Sequence, residues 1–113
     1  MKRAEIYLTR IVDDSCNLYA IITRNGREKT IKNPSGKIIL EAIKQNSLNI
    51  LKIDNPSEKL QLTVIEKDPY NIKLITNPTE AAQLTAIKKD IGALNYINNP
   101  SDKIKILKKI IGL

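Results

Sequence analysis

Polar and apolar residues follow two different rhythms along this chain. Up to about residue 32 they come in short, near-alternating runs, and from Asn33 onward they recur in blocks of 22 residues. Ala4–Val12 (AEIYLTRIV), Leu18–Thr23 (LYAIIT) and Glu28–Ile31 (EKTI) mix β-branched and aliphatic residues with polar ones, which predicts strands. Asp13-Asp14-Ser15-Cys16-Asn17 is a polar break between the first two runs. Asn25-Gly26 separates the second and third, and this pair suits a type I′ hairpin, whose two central residues need positive φ. The expectation is an antiparallel β-meander of two or three strands. Such a meander is marginally stable alone and needs the helices that follow it.

The repeat is marked by Asn33-Pro34-Ser35, Asn55-Pro56-Ser57, Asn77-Pro78-Thr79 and Asn99-Pro100-Ser101. With Asn as position 1, the signature reads as helix-start chemistry. Asn is the expected N-cap, Pro occupies N1 without losing a useful donor, and the acid at position 4 (Glu58, Glu80, Asp102) complements the helix dipole. Gly36 departs from this, so the first helix should start less firmly. Apolar residues recur at position 8 (Leu40, Leu62, Leu84, Ile106) and position 11 (Ile43, Ile65, Ile87). Small or apolar residues recur at positions 6 and 10. Position 14 (Asn46, Asp68, Asp90) reads as a second N-cap. It opens a shorter helix with core residues at position 18 (Ile50, Ile72, Leu94) and position 21 (Ile53, Ile75, Ile97).

Each unit is therefore a long helix, a turn and a short helix, and it buries its apolar face only by stacking on a neighbour. Residues 33–54, 55–76 and 77–98 are full units. Residues 99–113 are an atypical last helix expected to cap the array, with Gly112 as its C-cap. The fold class is α+β: a small N-terminal antiparallel β-meander over 1–32, then a short helical repeat array, in one domain.

The repeat units resemble a family of tandem helical repeats in uncharacterised bacterial and phage proteins. The matching residues are Asn55-Pro56-Ser57-Glu58, Gln61-Leu62, Ile65, Asp68-Pro69-Tyr70 and Ile72 through Ile75, then Asn77-Pro78-Thr79-Glu80, Gln83-Leu84 and Ile87. The resemblance covers about residues 33–113. It implies a helical repeat fold and carries no assigned activity, because the recurring residues are caps and core positions.

Composition narrows the chemistry. The chain has no His, Phe or Trp, one Cys and a net charge of +7. Without His, the usual general base and the commonest metal ligand are missing. Cys16 has no base to activate it, and a single thiol suits a reducing compartment. Asp13-Asp14 is read as a solvated pair. There is no phosphate-binding glycine loop, no apolar run long enough for a membrane span and no signal-peptide core in the first residues. The chain reads as a cytoplasmic non-enzyme without metal or cofactor.

The positive charge is distributed. Residues 1–32 hold seven basic and four acidic residues, and residues 33–113 hold twelve and eight. In a stacked array, equivalent positions line up, so Lys37, Lys59 and Lys103 at position 5, with Lys67, Lys88 and Lys89 near position 13, form basic ladders. Such ladders fit an acidic protein surface or a phosphate backbone, or else are ordinary solvated lysines. The repeats contain no Arg, which weakens specific nucleic-acid readout. Tyr70 and Tyr96 are partner anchors or core plugs, and Lys73 varies between units. Ile39 and Leu51 are apolar where other units are polar, which suggests a contact patch or docking of the meander, and docking is the preferred reading. The candidate partner-binding set is Lys37, Lys59, Lys67, Tyr70, Lys73, Lys88, Lys89 and Lys103. The function expected is non-catalytic protein binding, in its narrowest form inhibition of a bacterial defence protein by a phage or mobile element. The alternative is nucleic-acid binding through the lysine ladders.

Overall fold

A computed structural model describes residues 8–14 and 17–112. It shows an α+β layout, with a three-stranded antiparallel sheet followed by helices. The chain divides into two compact units, Met1–Lys52 and Ile53–Leu113.

In the first unit, β1 (Leu8–Asp14), β2 (Asn17–Arg24) and β3 (Arg27–Lys32) follow in sheet order β1-β2-β3. The Asn25-Gly26 turn has φ of 51° and 75°, as a type I′ hairpin requires. It sets the register in which Arg24 faces Arg27, Ile22 faces Lys29 and Ala20 faces Ile31. The polar break expected at 13–17 is shorter than read, because Asp13 and Asp14 continue β1 opposite Leu18 and Asn17. Ala4–Tyr7 and Cys16 lie outside the described residues. On one sheet face Ile11 and Ala20 are buried with Ala42 of α1 (Gly36–Gln45), with Leu18, Ile31, Ile38 and Ile39 packed around them. Ile39 thus serves the docking expected of it. Leu51 does not: it lies in the 3-10 helix Ser47–Lys52 and is 57% exposed.

Side-chain amides make the other half of this docking. β1 is an edge strand, and its outward groups need partners. Asn49 accepts from the Ile11 N–H (3.1 Å) and donates to the carbonyls of Thr9 (3.2 Å) and Ala42 (2.8 Å). Gln45 accepts from the Thr9 N–H at 2.6 Å. The two amides thus cover the outward groups of Thr9 and the Ile11 N–H, as a neighbouring strand would.

In the second unit, α2 (Glu58–Lys67), α3 (Glu80–Lys89) and α4 (Asp102–Ile111) alternate with the 3-10 helices Pro69–Leu74 and Ile91–Tyr96. The short helices are 3-10 rather than α. Six residues make two full turns at three residues per turn, so the position-18 side chains still reach the core. Ile72 and Leu94 there are fully buried, as are Val64, Ile65, Ala82 and Ala86 of the long helices.

Two expectations about the repeat need correction. The helices begin two residues later than read: the N-cap is the Ser or Thr at position 3, and the hydroxyls of Ser35, Ser57, Thr79 and Ser101 accept from the backbone three residues on. Asn33, Asn55 and Asn99 instead sit in the left-handed region, with φ of 52°, 49° and 49°. Asn tolerates this conformation better than other non-glycine residues, so it turns the chain rather than capping the helix. The acid at position 4 is the first helical residue. Position 8 is less buried than expected, with Leu40 and Leu62 half-buried and Leu84 and Ile106 38% and 58% exposed, while positions 10, 11, 18 and 21 supply most of the buried side chains. The position-14 caps hold, with Asn46, Asp68 and Asp90 each accepting from the N–H two residues on. α4 ends on Gly112 in the left-handed region, as expected.

Two further contacts tie one repeat to the next. Gln61, almost fully buried, donates to the Pro56 carbonyl and accepts from the Thr79 N–H, both at 2.9 Å. Gln83 does the same with Pro78 (3.0 Å) and Ser101 (2.9 Å). Each glutamine holds the start of its own helix to the start of the following one.

Candidate functional site

The candidate lysines are at the surface, and the fold pairs some of them internally. Lys37, Lys59, Lys67, Lys73, Lys88, Lys89 and Lys103 are all exposed. Lys89 sits 2.9 Å from Glu66, and Lys103 lies 3.9 Å from Glu80. Both pairs join one repeat to the next, as equivalent positions in a stack allow. Surface pairs of this kind contribute about 0–1 kcal/mol, but they partly neutralise the ladders.

Tyr70 is half-buried in an internal contact. Its ring meets that of Tyr96 edge-to-face, with centroids 5.2 Å apart and planes at 84°. Its hydroxyl reaches the next repeat, where a Cβ on Gly92 would collide with it. Position 16 is thus large in one unit and small in the next because the two residues share one space. The hydroxyl donates to the Asp90 carboxylate, and this bond, with desolvation, raises the Tyr70 pKa above its ordinary value of 10.0. A phenol whose pKa is higher folded than unfolded contributes stability below the unfolded pKa and loses it as pH rises through the folded one. The melting temperature should therefore fall as pH rises above about 10, and Tyr70→Phe should flatten that fall. Equal slopes for the two chains would show that the contact is energetically silent.

The first unit also carries a concavity. A groove of about 830 Å³ runs between the sheet and α1. Ile22, Ile31 and Ile38 give it apolar walls, and Arg24, Arg27 and Lys29 add positive charge, with Glu28 and Glu41 among the same lining residues. Its volume is in the range of ligand clefts. None of the candidate residues chosen from the sequence lines it. The signal was present: the hairpin register puts Arg24, Arg27 and Lys29 on the face of Ile22 and Ala20. What the sequence lacked was which face α1 covers, and how far along.

The arrangement offers binding contacts. Among the described residues no group of three or more His, Cys, Asp or Glu is placed to hold a metal ion. No helix among them is long and apolar enough to cross a membrane. No protein-family model, curated protein or solved structure matches the chain.

Proposed function

We propose that this chain is a non-catalytic protein-binding module whose principal seat is the groove between its β-sheet and α1. The observation that carries this reading is the groove itself: an apolar lining edged by arginine and lysine, built on a sheet whose far edge is secured by Asn49 and Gln45. A preformed cleft of apolar and charged side chains limits the ordering that binding must impose. The narrower reading is an inhibitor acting in the bacterial cytoplasm on a defence protein, for a phage or mobile element. It is supported only by the resemblance of residues 33–113 to repeats of bacterial and phage proteins.

Nucleic-acid binding is the rival. The net charge of +7 and the exposure of Lys59, Lys73 and Lys88 favour it. The pairing of Lys89 and Lys103 with acids, and the lack of Arg among the repeats, weigh against it. A pull-down with the full chain from bacterial lysate, beside DNA and RNA titrations at low and high salt, separates the two. The expected result is a protein retained at high salt. Micromolar nucleic-acid affinity with a steep salt slope and no retained protein would overturn the reading.

A further inference from the structure

The sheet has two edges, and the fold treats them differently. At the β1 edge the amides of Asn49 and Gln45 bond the outward groups of Thr9 and the Ile11 N–H. β3 pairs only with β2 among the described residues, and five of its six residues are exposed. The direction of its backbone groups follows from the register. The Asn33 N–H donates to the Leu18 carbonyl at 2.9 Å. In an antiparallel ladder the inward-bonded pairs then fall at every second residue, at Ala20–Ile31, Ile22–Lys29 and Arg24–Arg27. The N–H and C=O groups of Glu28, Thr30 and Lys32 therefore point outward, away from β2.

This outward row adjoins the groove. Ile31, Lys29 and Arg27 of β3 line it, so a strand laid beside β3 would set every second side chain next to them. The charge of the edge selects what can lie there. β3 carries Arg27, Lys29 and Lys32 against Glu28 alone. A second copy pairing through the same strand would bring like charges together, the usual way in which lysine on an edge blocks self-association. A strand of opposite charge meets no such penalty.

We propose that β3 is a docking edge for an extended acidic segment of a partner protein, which adds as a fourth strand and sets its carboxylates on the groove side, beside Arg27 and Lys29. This inference rests on the protein-binding reading and specifies its geometry. Main-chain pairing would supply affinity, while Ile31, Arg27 and Lys29 would supply selectivity.

The test uses the full chain and a synthetic six-residue peptide alternating valine with glutamate, matched to the length of β3. Amide hydrogen exchange is read with and without it. The expected result is slowed exchange at Glu28, Thr30 and Lys32, and binding weakened about tenfold or more by Thr30→Pro. This substitution removes one outward donor and no ladder bond, which edge strands tolerate. The charge-reversed variant Arg27→Glu/Lys29→Glu should weaken binding as much, and it serves if the proline variant fails to fold. The proposal is overturned by no binding at about 1 mM peptide, by protection elsewhere than β3, or by equal affinity of a folded Thr30→Pro chain. Protection of the same amides that grows with protein concentration alone would identify a second copy as the occupant, and would also overturn it. The protein-binding reading fails separately: a lysate protein retained equally by the Thr30→Pro chain would leave that reading standing and remove only the edge.

Discussion

Asn49→Ala should destabilise the first unit by about 3 kcal/mol. Asn49 is 8% exposed and makes three hydrogen bonds, to Ile11, Thr9 and Ala42. The Ala42 carbonyl keeps a second partner in the Asn46 N–H, so its loss is small. The Ile11 N–H and the Thr9 carbonyl are the outward groups of an edge strand beside a helix, and truncation leaves both without Asn49. Orphaned buried groups cost about 1–3 kcal/mol each, and the missing side-chain volume adds to that. Urea unfolding of the two chains measures the difference, and exchange at the Ile11 amide should speed up in the variant. Asn49→Asp sharpens the point: it can still accept from Ile11 but turns a carboxylate toward two carbonyls, so it should be at least as damaging. A change below about 0.5 kcal/mol for Asn49→Ala would show that water replaces the amide at no penalty.

The second large effect concerns the glutamines of position 7. Gln61→Leu and Gln83→Leu should each destabilise the second unit by about 2 kcal/mol, and together by about 4 kcal/mol. Leucine is close to glutamine in size and gains apolar burial at this site, which offsets part of the loss. The unpaired groups do not relax as easily. Pro56 and Pro78 lose the amide that held their carbonyls, and the Thr79 and Ser101 N–H groups lose an acceptor just where each helix begins. A domain holds about 5–15 kcal/mol in all, so the double variant should lower the melting temperature by many degrees. Thermal melts of the single and double variants test this. Losses of only a few tenths of a kcal/mol would mean that apolar stacking alone holds the repeats together. Only two of the four position-7 residues can act this way, since Ile39 and Lys105 stand at the others. Ile39 packs instead against the sheet cluster.

These glutamines were visible in the sequence as recurring residues, but their role was not. A polar residue at a fixed step in a helix reads as surface. Its bonds run to a carbonyl five residues back and an N–H eighteen residues ahead, and no local pattern announces the second. Tyr70 and Gly92 carry the same lesson. As a difference between repeats they look like functional variation. In the fold one fills the space the other leaves, and the tyrosine hydroxyl reaches the Asp90 that caps the next short helix. The groove escaped for a related reason. Lysine spacing drew attention to the repeats, whereas the cations that meet an apolar cleft are Arg24, Arg27 and Lys29 of the hairpin.

The sequence by itself determined the local and periodic features. The 22-residue step, the strand-then-helix order, the Asn25-Gly26 hairpin and its register, the position-14 caps and the Gly112 stop all follow from backbone preferences acting within a few residues. It misplaced the long-helix caps by two residues, because Asn-Pro-Ser holds two capping residue types and only the chain's path shows that Asn33, Asn55 and Asn99 take the left-handed turn. Tertiary structure decided which apolar positions are core, why position 8 is more open than positions 10 and 18, which sheet edge the side-chain amides cover, and where the cleft lies. Those outcomes depend on surfaces that meet only after separate elements pack, so their energies are shared between residues far apart in the chain.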